Sequence, residues 1–296
     1  MTALLALVMV AALGTWIPLA QLRPGTPERS RIFYVAVGNA VFAGTARLAG
    51  GGGLALDWRS FWLPLAGGVV WAAGNYCVLR ASRAIGLARA AGTWTPLNIV
   101  AAFAWGALLF GELDGFSGAR FAVLGVAFLA VVAGVLLIAG ARTDPAADPG
   151  RPPTATRAGL LWAGGAGILW GSYFVPAQWA AIPAQESNFP LALGILAGAL
   201  ALALPAREPV KLGRRAAGAL LGAGVLFGVG NLALLGLVAR VGTGTGFTIA
   251  QLSLVVNAGI GIWVFHVPEP GTRQARKVLT GIVVAGIGGC AIAAMR

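Results

Sequence analysis

Residues that could build a catalytic or metal site are almost missing from this chain. It has one histidine, His266, and two cysteines, Cys77 and Cys290, both within apolar stretches. These are too few for the three or four ligands of a usual zinc site, and neither an H-E-x-x-H nor a G-x-S-x-G motif occurs. No apolar stretch contains an aspartate, which excludes a membrane protease that works with paired aspartates. We therefore expect no enzyme activity, no metal and no cofactor, and we expect both cysteines to be inert packing residues.

Charged residues are scarce too, at 10% of the chain against 58% hydrophobic residues, and the mean hydropathy is +0.83. A soluble fold could not bury so much apolar surface, so the lipid bilayer is the expected solvent. The net charge of +12 would suggest a nucleic-acid partner in a soluble protein. Here the basic residues lie between the apolar runs, a distribution that reflects membrane topology. No nucleic-acid partner is expected.

The apolar residues form ten runs of roughly 20 residues, the length that a helix needs to cross the hydrocarbon of a bilayer. The sequence thus predicts an all-α membrane protein with ten transmembrane helices. The expected spans are Thr2–Leu22, Ile32–Gly50, Phe61–Ser82, Ala90–Gly111, Phe121–Ala141, Ala158–Ala180, Asn188–Pro205, Ala216–Ala239, Thr245–Val267 and Val278–Met295. The first span lacks the basic start of a signal peptide, so we expect it to stay in the membrane as a helix.

The two halves of the chain resemble each other. Gly68–Asn75 (GVVWAAGN) recurs 156 residues later as Gly224–Asn231 (GVLFGVGN). Residues 142–157, which are rich in Pro, Asp and Thr, are predicted to form a linker between repeats at residues 1–141 and 158–296. Because five spans precede the linker, the second copy must enter the membrane from the opposite side, which is the inverted-repeat plan of many secondary carriers. The glycines of the two copies, among them Gly68 and Gly224, are expected to be helix contacts rather than hinges.

Lysines and arginines predict the orientation in the membrane. Sixteen of the 21 fall in loops after odd-numbered spans, and the opposite face keeps the other five. Because basic residues are retained on the cytoplasmic side, the linker is expected to be cytoplasmic and both termini to lie outside a cytoplasmic membrane.

Polar and aromatic side chains concentrate in spans one, three, four, six, eight and nine, whereas the other spans are almost bare apart from Asn39 and Thr280. An amide in hydrocarbon must find a partner or line a cavity, so these residues are candidates for binding a small-molecule solute. The candidates are Trp16, Gln21, Trp71, Asn75, Trp94, Asn98, Tyr173, Gln178, Asn231, Gln251 and Asn257. Asn75 and Asn231 are expected to approach each other near mid-membrane. The alternative is that these amides only tie helices together.

Coupling to protons would need a group that titrates, and few are available near the membrane. Glu112 and Glu269 end the fourth and ninth spans, and His266 lies close to the second of these ends. Since no carboxylate lies at mid-membrane, we expect proton coupling to be weak or absent, with facilitated diffusion or exchange in its place.

Four sequence elements together resemble the drug/metabolite transporter superfamily, and within it the glucose/ribose porter branch of bacterial sugar-uptake permeases. They are Trp71–Asn75 with Phe227–Asn231, Gly86–Arg89 with Thr95–Asn98, Arg240–Gly242 with Gly246–Gln251, and Leu169–Pro176 with a weaker copy at Gly14–Pro18. The resemblance covers nearly the whole chain. It implies ten spans in two inverted halves and the uptake of a monosaccharide. A metabolite or drug exporter of the same superfamily and a membrane scaffold without transport remain alternatives. Amides, hydroxyls and indoles suit a neutral polyol better than an amino acid, which would need a charged partner for each end.

Overall fold

The chain is helical throughout the part that is described. The computed structural model describes residues 1–21, 26–53, 56–85, 87–141, 153–203, 211–264 and 269–294, and these ranges contain no strand. The helices are α1 (Thr2–Gln21), α2 (Glu28–Ala49), α3 (Trp58–Ile85), α4 (Leu87–Leu108), α5 (Gly118–Ala141), α6 (Pro153–Trp170), α7 (Val175–Trp179), α8 (Ala184–Ala203), α9 (Arg214–Val241), α10 (Thr243–Ala250), α11 (Ser253–Trp263) and α12 (Arg273–Ala294).

Six helical stretches within these ranges are long and apolar enough to cross a membrane. They are Thr2–Ala20, Arg29–Ala49, Trp58–Ala81, Arg157–Trp179, Arg214–Val241 and Thr243–Trp263, and Gly118–Gly134 is a shorter apolar stretch. Repeated crossing makes the protein a multi-pass membrane protein. The predicted all-α class is confirmed.

The twelve helical segments correspond to ten helices, because α6 with α7 and α10 with α11 are two helices that are each interrupted once. These ten overlap the ten predicted spans. The predicted linker lies outside the described residues up to position 152, and its last residues, 153–157, already belong to α6. Neither interruption was predicted.

The interruption between α6 and α7 coincides with a proline. Pro176 stands in the first turn of α7. Its ring has no N–H to donate and disfavours a continuous helix here, although α1, α3, α4 and α8 each continue through an internal proline. The Ser172 hydroxyl donates to the Ile168 carbonyl at 2.7 Å, which satisfies one of the carbonyls at the end of α6. The motif Leu169–Pro176 is therefore a turn in the backbone as well as a sequence signature.

The interruption between α10 and α11 is a tightening of the backbone. The N–H groups of Leu252, Leu254 and Val255 donate to carbonyls three residues earlier, at 2.9 to 3.0 Å. This is the hydrogen-bond pattern of a 3₁₀ turn, which often marks a change within a helix. Gln251, a predicted binding residue, lies at this turn.

The helices form two compact units, each drawn from both halves of the sequence. The first unit comprises Met1–Ala73 and Tyr173–Arg240, and the second comprises Gly74–Ser172 and Val241–Arg296. In the first unit α2 packs against α8, and in the second α4 packs against α5, α6 and α10 while α5 packs against α12.

Glycines let helices of the first unit approach each other closely in two matching places. A β-carbon on Gly38 would overlap the Leu221 carbonyl, and one on Gly224 would overlap the Val35 carbonyl. The same contacts recur 156 residues away, where a β-carbon on Gly194 would overlap the Leu65 carbonyl and one on Gly68 the Leu191 carbonyl. In each matching pair, the residue from the first half of the sequence is replaced by the residue 156 positions later, and the residue from the second half by the one 156 positions earlier. The prediction that Gly68 and Gly224 are helix contacts is confirmed.

The second unit contains a reciprocal contact of the same kind between α5 and α12. A β-carbon on Gly134 would lie 2.5 Å from the Gly281 carbonyl and 2.5 Å from the Ala285 amide nitrogen. One on Gly288 would lie 2.6 Å from the Ala127 carbonyl and 2.9 Å from the Val131 amide nitrogen. An offset of 154 residues relates the two sets of atoms. Since the earlier part of α5 meets the later part of α12, the two helices run antiparallel.

Candidate functional site

Three aromatic rings meet in the first unit. Phe227 on α9 lies with its ring centroid 5.0 Å from that of Trp71 on α3 and 5.1 Å from that of Trp16 on α1. Trp71 and Phe227 are buried, and they occupy matched positions of the two sequence copies. The sequence therefore predicted that these two positions correspond, and the structure places their rings in direct contact.

A chain of hydrogen bonds lies on the same helix, one turn beyond the rings. The Tyr173 hydroxyl donates to Asn231 Oδ1 at 3.0 Å, and Asn231 Nδ2 donates to Asn188 Oδ1 at 3.1 Å. All three side chains are at least nine-tenths buried. Asn231 follows Phe227 by four residues on α9, so both side chains project from one face of that helix.

The six residues Trp16, Trp71, Tyr173, Asn188, Phe227 and Asn231 are called the amide–aromatic cluster below. None of them is charged at neutral pH, and together they offer flat apolar faces beside groups that both donate and accept hydrogen bonds. This combination suits a neutral ligand with many hydroxyls and an apolar ring face. It offers no charged partner for an ammonium or a carboxylate.

Polar side chains of the second unit are arranged differently. Trp94 stacks edge-on against Trp170, with ring centroids 5.9 Å apart. Asn75 and Asn98 are both buried, and Asn98 Oδ1 has no hydrogen-bond partner among the residues described. Gln251, at the turn between α10 and α11, and Asn257 on α11 are both half-buried. The Trp105 indole donates to the Ser172 hydroxyl at 2.8 Å.

Glu112 contacts the start of a helix. Its carboxylate accepts the backbone N–H of Thr243 and that of Gly244, the latter at 3.0 Å. These are the first amides of α10, which have no partner within the helix, and the positive end of the helix dipole favours a carboxylate there. Gly106 makes room for this contact, since a β-carbon on it would lie 2.7 Å from Glu112 Oε2. Glu112 thus has a structural task that the sequence did not reveal.

The predicted site residues are divided between the two units. Trp16, Trp71, Tyr173 and Asn231 come together in the amide–aromatic cluster, with Gln178 half-buried on α7 nearby in sequence. Asn75, Trp94, Asn98, Gln251 and Asn257 belong to the second unit. The expectation that Asn75 and Asn231 approach each other stays a prediction.

Two predicted residues cannot be placed. The Gln21 side chain and His266 lie outside what is described, whereas Glu269 is exposed on the loop before α12.

Two buried amides of the first unit are not among the predicted site residues. Asn188 is the first residue of the predicted seventh span, whereas α8 already begins at Ala184. Asn39 is an isolated amide in the second predicted span. Both are at most 2% exposed. A useful signal was available, because an amide within an apolar helix is rarely placed there without a function.

Comparison with known proteins shows the family of the chain. Residues 4–295 match the family model described as "Sugar transport protein". A "Putative sugar uptake protein" of Bacillus cereus is 28% identical over 229 residues, covering 77% of this chain and 76% of its own. One of Lactiplantibacillus plantarum is 24% identical and covers 99% of both chains. A crystal structure of another protein, 20% identical, superposes with a TM-score of 0.71 over 99% of this chain and 97% of its own, which establishes the fold alone. Since the family model spans nearly the whole sequence, the chain belongs to the sugar transport protein family.

Proposed function

We propose that this protein is a secondary carrier that takes up a neutral monosaccharide by alternating access, and that the amide–aromatic cluster is its solute-binding site. The observation that carries the proposal is the hydrogen-bond chain Tyr173–Asn231–Asn188 beside the ring contact of Trp71 and Phe227. Indole and phenyl faces pack against the C–H faces of a pyranose, and amides match hydroxyls as donor and acceptor. Relatives named as sugar uptake proteins support the same class of solute.

The proposed architecture is ten transmembrane helices in two inverted five-helix repeats. Its support is the reciprocal form of the glycine contacts, in which residue i meets j while j−156 meets i+156. A two-fold axis generates such exchanged contacts. The antiparallel packing of α5 and α12 further favours inversion, because counterparts in parallel repeats would run in the same direction. Alternating access would then exchange the conformations of the two repeats.

The proposed orientation puts both termini outside the cytoplasmic membrane and residues 142–157 inside it. It rests on the excess of lysines and arginines in loops after odd-numbered spans. A single cysteine placed at Thr2 in a variant without Cys77 and Cys290 should react with a membrane-impermeant maleimide in intact cells. A single cysteine at Thr154 should react only after the cells are permeabilised. The reverse pattern of labelling would contradict the orientation.

Uptake is proposed to need no proton. Glu112, one of the three candidate coupling groups, is held by the amides at the start of α10, which supports a structural role for it. In proteoliposomes an inward proton gradient should not drive the sugar above its equilibrium concentration. Glu112→Gln should keep uptake, because the amide oxygen can still accept one N–H, and should lower stability by about 1 kcal/mol. Accumulation that collapses with an uncoupler, and that Glu112→Gln abolishes, would reverse this assignment.

The proposed function is tested by uptake of a panel of radiolabelled neutral monosaccharides into proteoliposomes. We expect saturable uptake of at least one sugar, and we expect Trp71→Ala to raise its KM at least about tenfold through the lost ring contact. Trp62→Ala is the matched control on the same helix, because Trp62 is 44% exposed and stands outside the cluster. Uptake of no sugar, or equal effects of the two substitutions, would refute the assignment of the site.

A further inference from the structure

Asn39 on α2 presents a buried amide that the fold does not use. Its side chain is fully buried, and neither Oδ1 nor Nδ2 has a hydrogen-bond partner among the described residues. Buried amides in proteins are paired as a rule, because an amide removed from water without a partner destabilises the fold. Within a membrane helix the penalty cannot be relieved by solvent. The amide therefore needs a partner other than the described residues, and a bound ligand can supply one.

Asn39 lies against α9, the helix that carries Phe227 and Asn231 of the amide–aromatic cluster. A β-carbon built on Gly228 would lie 2.9 Å from Asn39 Oδ1, so the amide lies directly against α9. Gly228 is the residue after Phe227 and precedes Asn231 by three positions, which is one turn of the helix. The unpaired amide thus reaches α9 at the level between the ring contact and the hydrogen-bond chain.

Asn188 leaves a second unpaired group in the same unit. Its Oδ1 accepts from Asn231 and its Nδ2 has no partner in the described part of the chain. Tyr173 sets the donor-to-acceptor direction of this series of hydrogen bonds, because its hydroxyl donates to Asn231 Oδ1. Each amide then donates onward, and the last donor, Asn188 Nδ2, is left for a ligand acceptor.

The sequence duplication argues against a packing role for the amide at position 39. With the offset of 156 residues, Asn39 corresponds to Ile195, and the neighbouring contacts of Val35 and Gly38 recur at Leu191 and Gly194. Ile195 is 2% exposed in the same kind of helix crossing. An aliphatic side chain therefore packs at the equivalent position of the matching helix contact. Packing alone does not require an amide at position 39, and the amide of Asn39 must have another function.

We propose that Asn39 and the Nδ2 group of Asn188 bind hydroxyl groups of the transported solute, and that they are specificity-determining residues of the carrier. This inference rests on the proposed function and extends its site to α2 and to the free end of the hydrogen-bond chain. A hydroxyl is both a donor and an acceptor, so two neighbouring hydroxyls satisfy Asn39 Oδ1 and Nδ2 together. A site whose amides are satisfied only by ligand hydroxyls discriminates against analogues that lack them, because the amides then stay unpaired.

The decisive variant is Asn39→Ile, which installs the residue of the other repeat. We expect the KM for the transported sugar to rise at least about tenfold, the loss of one or two hydrogen bonds. We expect the melting temperature without sugar to stay the same or rise, because an unpaired buried amide is removed. Thr45→Val is the matched control on α2, since the exposed Thr45 hydroxyl bonds only to the Val41 carbonyl of its own helix. It should change neither quantity.

A series of monodeoxy analogues of that sugar separates a binding role from a structural one. The wild type should discriminate against one or two of the analogues, and Asn39→Ile should transport them with the same KM as the parent sugar, since the hydroxyl has lost its partner. Retained discrimination with unchanged KM would overturn the proposal. A melting temperature that falls in step with uptake would also overturn it, because an ordered water holding helices together gives that result.

The same uptake measurements distinguish a wrong role for Asn39 from a wrong function of the protein. If the wild type and Thr45→Val take up a sugar and Asn39→Ile does so equally well, only the role of Asn39 is refuted. If the wild type takes up no sugar, the function itself is refuted, and the inference falls with it.

Discussion

The first and second units pack their helices in the same way and bury different polar groups. Both use reciprocal glycine contacts in which backbone meets backbone. In the second unit, polar side chains form hydrogen bonds with backbone groups. Glu112 accepts the first amides of α10, and the Thr248 hydroxyl donates to the Gly244 carbonyl at 2.6 Å. In the first unit Asn39 and Asn188 keep amide atoms that have no hydrogen-bond partner in the described part of the chain.

This difference supports the proposal that the first unit binds the solute. Polar groups that satisfy the backbone stabilise helices at interruptions and ends, and they can be explained without a ligand. Buried amides with spare donors and acceptors cannot be explained by the fold alone. Among the described residues of the second unit, Asn98 Oδ1 is one such group and is an exception to this difference.

The largest effect is expected from Asn231→Leu. The substitution removes two hydrogen bonds and leaves the Tyr173 hydroxyl and Asn188 Oδ1 without their present partner. We expect kcat/KM for uptake to fall about 100-fold, with a loss of about 1 to 2 kcal/mol in stability. Uptake kinetics in proteoliposomes and melting in detergent measure the two effects.

Thr248→Val in the second unit is the matched control for Asn231→Leu. Thr248 is fully buried, and its hydroxyl bonds only within its own helix. Val should therefore leave uptake within about threefold of the wild type, because an intrahelical bond in a membrane contributes little. If Thr248→Val were as harmful as Asn231→Leu, the contrast between the units would disappear.

The shared packing of the two units is tested by alanine at matched glycines. Gly224→Ala in the first unit and Gly288→Ala in the second should each lower the free energy of unfolding by about 1 to 3 kcal/mol, since the new methyl group meets backbone. Gly218 on α9 and Gly286 on α12 are the controls, because a β-carbon there has no neighbour within 4 Å. Alanine at the controls should be neutral or slightly stabilising, as judged by thermal unfolding in detergent. A neutral Gly288→Ala would mean that only the first unit depends on such contacts.

Much of this fold could be predicted from the sequence, because each helix that crosses a membrane must be apolar along its length. All ten predicted spans overlap helices, and the matched positions of Trp71 and Phe227 were visible in the duplication. Pro176 marks the interruption after α6, but Pro18, Pro64, Pro96 and Pro190 lie within continuous helices, so a proline alone could not locate it. The 3₁₀ turn at Gln251 has no proline or glycine to announce it.

The partners of the polar groups could not be predicted. Glu112 meets Thr243 and Gly244 more than 130 residues along the chain, and Asn231 meets Asn188 on a helix that was read as nearly bare. Hydropathy locates helices along the chain and carries no information about which face meets which neighbour. The glycine contacts have regular offsets, but only the structure shows that they are exchanged between repeats.

Asn98→Leu examines the exception in the second unit. Its unpaired Oδ1 can accept one hydrogen bond from a solute hydroxyl, so we expect KM to rise by about tenfold, less than for Asn231→Leu. The melting temperature should not fall, because the removed oxygen has no partner in the described chain. A loss of uptake as large as that of Asn231→Leu would extend the site to the second unit in equal measure. An unchanged KM would confine it to the first.

The smallest effect on uptake is expected from substitution of Asp57 in the first unit. Like Glu112 in the second unit, Asp57 accepts hydrogen bonds from backbone N–H groups. Asp57 Oδ1 accepts the N–H of Arg59 at 3.0 Å and that of Ser60 at 3.2 Å, at the start of α3. Hydrogen bonds from the Ser60 side chain and then from its backbone N–H lower the pKa of the carboxyl. A lowered pKa in the folded protein means that the ionised carboxylate stabilises the fold above the pKa of the unfolded chain, about 3.9. That stabilisation is lost as the pH falls from there through the lower folded pKa.

Asp57→Ala should thus melt at a lower temperature than the wild type at pH 7, and the difference in melting temperature should narrow towards pH 3. Asp57→Asn is the control, because its amide oxygen still accepts the N–H groups and does not titrate in this range. Uptake at pH 7 should be unchanged in both variants. A loss of uptake would show that side chains bonded to the backbone and side chains that bind the solute cannot be distinguished in this way, even within the first unit.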